Sequence, residues 1–222
     1  SAADRAALEV VREQRRERSR EAHDALADRW TEVGQEFRSG AVRSEAVAWA
    51  MPSGMVAADL GCGAGFLSRR LAESFGRVIA VDHSEKMLET ARQRGLPDSV
   101  ELRQGELDKL PIDSGSVDTA FAHLVWHHLA DLSAAAREIA RILKPGGTVV
   151  VSDLKPHDQD WMRDAMGDLR LGMPPETVRN TLDHAGFARL RVADSSDGYE
   201  VTAPGGDSTT LTMFLVRGEL PR

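Results

Sequence analysis

The stretch that decides the fold is VAADLGCGAG, residues 56–65. A short apolar run carries one acid, Asp59, and then passes into three glycines, Gly61, Gly63 and Gly65. The run reads as a buried strand over Met55–Leu60, and the glycines as a turn whose backbone a ligand can approach closely. A helix follows over Phe66–Phe75, with Leu67 and Leu71 inward. A dinucleotide-binding turn has the spacing G-x-G-x-x-G. Counted from Gly61 and Gly63, its last glycine would fall at position 66, which is Phe66. The turn is G-x-G-x-G, and Asp59 before it would repel a pyrophosphate. A carboxylate there suits an ammonium or a sulfonium, so a nicotinamide oxidoreductase is disfavoured.

Outward from this unit, strands and helices alternate. Strands are expected at Arg77–Val81, Val100–Gln104, Val117–Ala122 and Thr148–Ser152. Helices are expected at Glu85–Arg94 after the cap Ser84, at Ser133–Leu143, and at Pro175–Ala185 before Gly186. Arg189–Ala193 and Thr209–Arg217 read as a closing antiparallel hairpin. Alternating β and α with short loops implies a parallel sheet covered on both faces. The expected fold is α/β: a Rossmann-like doubly wound sheet of seven strands, mostly parallel with a C-terminal antiparallel hairpin, plus N-terminal helices. Ligands in such sheets lie beyond the carboxyl ends of the strands, where strand order reverses.

The chain has 222 residues, enough for one such domain with a full core. Net charge is −7, which argues against a nucleic-acid surface. A single cysteine, Cys62, excludes an intrachain disulfide and a thiolate metal cluster. No apolar run approaches the roughly 18 residues of a membrane span, and a cytoplasmic location is expected. The first thirty residues hold seven arginines and seven acids, with Glu9, Glu13, Glu17 and Glu21 in an i,i+4 ladder. They read as a charged helix, so residues 1–40 are a helical linker or lid and residues 41–222 the ligand-binding domain. Trp30 is a candidate cover for the ligand, the Val42–Met51 spacing suggests a further amphipathic helix, and Arg38 and Arg43 read as surface residues. The charged helix offers a surface for a homodimer.

Five stretches together resemble a family. VAADLGCGAGFLSRRLAE, VIAVDHSEKMLETAR (78–92), QGELDKLP (104–111), SVDTAFAHLVWHHL (116–129) and RILKPGGTVVVSD (141–153) look like the successive motifs of class I S-adenosylmethionine-dependent methyltransferases. The segment 152–187 is also similar to methyltransferase domains fused behind ArsR-type DNA-binding domains. The resemblance implies S-adenosylmethionine as cofactor, with S-adenosylhomocysteine as product, and a small-molecule acceptor. It implies that Asp59, Gly61, Cys62 and Gly63 face the methionine part and that Asp82 holds the ribose. His83 and Met87 would line the adenine, together with Gly105, Glu106 and Leu107, while the backbone near His123 closes the pocket.

Methyl transfer from a sulfonium depends mainly on proximity and orientation, with a general base needed for some oxygen or nitrogen acceptors. Candidates where strands four and five end are His123, His127, Asp153 and His157. Trp126 and His128 lie in the same stretch. No metal site is expected, and one cysteine in the cofactor turn cannot hold arsenite. The soft stretch Met162, Met166, Leu169, Leu171 and Met173 is a candidate substrate wall. The alternative to turnover is a regulatory module that binds the cofactor and reports its level.

Overall fold

The computed structural model describes residues 54–222, together with Ala7 and Val10. The chain divides into two units, Ser1–Ala50 and Met51–Arg222. The expected N-terminal helices, the Trp30 lid, the helix after Val42 and the arginines at 38 and 43 lie outside the described residues.

The second unit is built on one seven-stranded sheet of order β3-β2-β1-β4-β5-β7-β6. The strands are β1 (Val56–Leu60), β2 (Arg77–Asp82), β3 (Val100–Gln104), β4 (Val117–His123), β5 (Leu143–Leu154), β6 (Ala188–Thr202) and β7 (Ser208–Glu219). From β3 to β5 all neighbours pair in parallel, and β7 then inserts antiparallel between β5 and β6. The chain leaves β1 toward β2 and β3, then returns to the far side of β1 for β4. The switch point therefore falls between β1 and β4, beside the glycine turn.

The helices are α1 (Phe66–Leu71), α2 (Glu85–Gln93), α3 (Leu132–Ile142), α4 (Trp161–Ala165) and α5 (Pro175–His184), with a 3₁₀ turn at Trp126–His128. The alternation of side chains along a strand sorts them into two layers. Ala57 and Val78 pack with Leu71 of α1 and with Phe75, and Ala80 packs with Leu88 of α2. On the other face Ala58, Ile79 and Ala120 join Ile139 and Ile142 of α3 and Val178 and Leu182 of α5 in the main core. Phe75 meets Phe121 edge-on, with ring centroids 5.8 Å apart.

The seven-stranded sheet agrees with the expectation, with differences at its edges. α1 ends at Leu71, and Phe75 instead closes the turn below it. α3 starts one residue early because the Asp131 carboxylate accepts from Ala134 N–H. The Lys144–Gly147 stretch, just past the helix expected over Ser133–Leu143, is drawn into β5 by pairing of Leu143 with Val117 and by a lysine–carboxylate pair, Lys144 Nζ to Asp118 at 2.8 Å. β6 and β7 outrun the expected hairpin through two register shifts.

The Val125 side chain packs directly over the Gly61 backbone where the β1 turn meets the β4 loop. A Cβ on Gly61, where φ is 75°, would lie 2.4 Å from Val125 Cγ2, whereas a Cβ on Gly63, at φ 50°, would meet nothing within 4 Å. Gly61→Ala is expected to lose about 2–4 kcal/mol, from overpacking together with strain. Gly63→Ala should lose only about 1–2 kcal/mol from its left-handed backbone. Urea unfolding of the two variants measures the difference; equal losses would mean that Val125 yields freely.

Candidate functional site

The glycine turn is stitched to its neighbours by backbone and by one carboxylate. Gly61 N–H and Cys62 N–H both donate to Val81 O, at 2.8 and 3.0 Å. Gly63 N–H donates to Asp82 Oδ2 at 2.7 Å, and Ser84 N–H donates to Asp82 Oδ1 at 2.9 Å. Asp82 is buried and ends β2, so a single side chain locks the turn after β1 to the turn that starts α2. Each oxygen has one backbone donor and keeps a further lone pair for a hydroxyl.

Asp59 lies one residue before the end of β1 and is 1% exposed. Its Oδ2 accepts from Ser68 Oγ at 2.5 Å, which ties α1 to the strand it follows. Burial pushes its carboxyl up to about 6, against the Ser68 hydrogen bond and helped by the Asp82 charge. Among the described residues no lysine or arginine pairs with it. A desolvated acid of this kind gains from a cation. Cys62 belongs to the turn by its backbone, but its side chain packs with Ala80 and Leu88. Burial pushes its thiol far up, so it is not a nucleophile.

The outer rim is formed by the loops after β2 and β3. Met87 is 49% exposed, so it is not a core residue of α2. His83 is exposed beside Asp82, and Gln104 Nε2 donates to its carbonyl at 3.0 Å. Gly105 N–H donates to Asp82 O, and a Cβ there would lie 2.5 Å from Pro111 Cδ. Glu106 is exposed and Leu107 is buried.

The opposite rim is the β4 loop. His123 is exposed at the end of β4, with Nδ1 2.6 Å from Ser152 Oγ. Desolvation by its surroundings lowers its pKa, against the Asp153 charge. Leu124 carries a left-handed φ of 53°, and its N–H donates to Ser152 O. His127 and Asp153, expected as catalytic, are instead enclosed, their side chains 5% and 0% exposed. Asp153 Oδ2 accepts from Trp126 N–H at 2.9 Å, and Oδ1 accepts from Leu154 N–H at 2.7 Å and faces His127 Nδ1 at 2.6 Å. This buried pair frames the loop after β4.

His157 is half-buried after β5; burial lowers its pKa, while the Asp168 charge raises it. Of the soft stretch, Met162 and Met173 are core residues, whereas Met166 and Leu169 are 45% and 54% exposed. Sequence reasoning missed two residues. Ser68 sits one helical turn into α1 and carries no motif of its own. Asp168 is buried in a turn after α4; an acid inside an apolar stretch was the available signal.

Residues 58–151 match the family model described as a methyltransferase domain. An uncharacterised methyltransferase of Mycobacterium tuberculosis is 35% identical over 138 residues, which are 61% of this chain and 55% of that protein. A malonyl-[acyl-carrier protein] O-methyltransferase of Serratia marcescens is 36% identical over 107 residues, 48% of this chain and 41% of that protein. The chain thus spans about half the length of these relatives, 55% and 41%. A solved structure of phosphoethanolamine N-methyltransferase 2 from Haemonchus contortus, in complex with S-adenosyl-L-methionine, shares the fold. Its TM-score is 0.63 at 17% identity, covering 78% of this chain and 50% of that one.

The buried carboxyl sets a pH signature. Asp59 holds a proton in the folded chain that the unfolded chain releases, so its contribution to stability is greatest at low pH. That contribution is lost as pH rises from about 4 through about 6. Relative to the native chain, Asp59→Asn should gain about 1–3 kcal/mol between pH 4 and pH 7.5. Urea unfolding at the two pH values reads this; a pH-independent difference would place Asp59 in the ordinary carboxylate range.

Proposed function

We propose that the methyltransferase domain at residues 58–151 makes this chain an S-adenosylmethionine-dependent methyltransferase that acts on a small-molecule acceptor. The observation that carries the reading is the pairing of an uncompensated buried acid, Asp59, with a glycine turn clamped by Asp82. The chemistry of these groups fits the cofactor. Asp59 supplies negative potential for its cationic amino-acid end, and the open backbone at Gly63 leaves room above the turn. Asp82 has lone pairs to accept ribose hydroxyls. Exposed Met87 and His83, with Gly105, Glu106 and Leu107, offer an apolar and polar edge for the adenine.

When bound, the cofactor supplies a methyl group already activated on a sulfonium, so the protein has mainly to orient and to exclude water. Among the described residues, His123, exposed at the end of β4, is the candidate base. With its Nδ1 proton donated to Ser152 Oγ, its Nε2 keeps a lone pair, and the lowered pKa holds the ring neutral near pH 7. Exposed Met166 and Leu169 present an adaptable apolar surface to an acceptor. One of the similar proteins is named as a malonyl-[acyl-carrier protein] O-methyltransferase, which supports methyl transfer as the activity.

The finer reading is a relative of the methyltransferase domains that follow ArsR-type DNA-binding domains, supported by the sequence of 152–187. In it residues 1–40 are the linker or lid, the chain is cytoplasmic, and the charged helix mediates a homodimer without binding nucleic acid directly. Among the described residues no helix is long and apolar enough to cross a membrane.

Calorimetry with S-adenosylmethionine and S-adenosylhomocysteine tests the reading, followed by an acceptor screen scored by methylated product. Both ligands should bind, and Asp82→Ala should weaken them by roughly 1–3 kcal/mol through lost charge-assisted hydrogen bonds. Because a cation favours the ionised form of Asp59, affinity should rise with pH up to about 6 and level off above it. Absence of binding would refute the proposal, and binding without any turnover would leave a regulatory module.

A further inference from the structure

The 3₁₀ turn after β4 brings His127 and His128 against Asp168, in the turn after α4. The Asp168 side chain is 1% exposed, and neither of its oxygens has a hydrogen-bond partner. His127 Nε2 and His128 Nδ1 each lie 3.8 Å from Asp168 Oδ1. The three donor atoms fall within 4.8 Å of one another. An enclosed carboxylate that accepts nothing is costly, and it calls for a positive group.

His127 is already oriented as a ligand. Its Nδ1 proton goes to Asp153 Oδ1 at 2.6 Å, which leaves the Nε2 lone pair toward Asp168. Metal-bound histidines are typically held in this way by a carboxylate behind them. Asp153 is in turn fixed by the N–H groups of Trp126, His127 and Leu154. Among the described residues, no lysine or arginine pairs with Asp153 or Asp168. One imidazolium would leave two buried carboxylates undercompensated, whereas a divalent cation balances them.

We propose that His127 Nε2, His128 Nδ1 and Asp168 Oδ1 form a binding site for a divalent transition cation of the zinc class, with a fourth position open. Two imidazoles and one carboxylate suit such an ion. Bonds of about 2.0–2.2 Å place tetrahedral ligand atoms about 3.3 Å apart. The two 3.8 Å edges therefore close by about half an ångström on binding. His128 Nδ1 gives up its contact with Gly167 O at 3.2 Å, and its ring takes the tautomer protonated at Nε2. His157 is not a ligand: its Nδ1 accepts from Gln159 N–H at 3.3 Å, so its buried Nε2 carries the proton and is a donor. The site fastens the turn around Asp168 to the β4 loop. It departs from the expectation, from sequence, of no metal.

The full chain, treated with chelator, is titrated with zinc chloride in a calorimeter, and metal retained after gel filtration is counted by mass spectrometry. One equivalent should bind and raise the thermal midpoint. Asp168→Asn and, as a second variant, His128→Gln should each weaken binding by about tenfold or more, in line with losses at metal sites. His184→Gln alters an exposed histidine on α5 and should change nothing. Absence of stoichiometric zinc, binding unaltered in both ligand variants, or loss in His184→Gln would overturn the site. None of these outcomes depends on the methyl donor.

Discussion

The Asp82 carboxylate is the fastening on which the candidate site depends. It receives Gly63 N–H on one oxygen and Ser84 N–H on the other. The turn after β1 and the turn after β2 thereby become one rigid lip at the sheet's switch point. Without it, the glycine turn would retain backbone freedom that ligand binding would have to remove. A sugar held there would add hydroxyl donors to an acid that is already oriented.

Acids near strand ends recur as structural joints in this sheet. Asp59 holds α1 through Ser68, and Asp153 holds the β4 loop through Trp126 and His127. At the opposite end Asp118 accepts from Val56 N–H and pairs with Lys144. Each carboxylate satisfies amides or a hydroxyl that the sheet geometry leaves unpaired. Asp59 and Asp168 differ from the rest in being buried with too few donors. Among the described residues, each is a buried carboxyl that a positively charged ligand would stabilise.

The sheet was legible because its strands are short apolar runs closed by Gly, Pro or a capping residue, and Ser84 caps α2 as read. Edges were harder. Lys144-Pro145-Gly146-Gly147 looks like a stop, yet its backbone is extended by the neighbouring strand, a tertiary effect that no local pattern carries. The glycine turn pointed to the candidate site, and all three of its glycines take a left-handed backbone. The base candidates were not separable, because His123, His127 and His157 have the same chemistry in sequence. Only burial distinguishes the exposed ring at the end of β4 from the one enclosed behind Asp153. Asp168 stood out only as an acid inside an apolar stretch: the histidines it meets lie about forty residues earlier, and only the fold brings them together.

The central claim is that the crevice between the β1 and β2 turns receives the sulfonium donor. The most direct measurement is a ¹⁵N amide map of the full chain with and without S-adenosylhomocysteine. The account predicts the largest shifts at Gly61, Gly63, Ser84 and Leu107, with the far end of the sheet around Gly146 unmoved. Shifts confined to that far end, or none at saturating ligand, would contradict it.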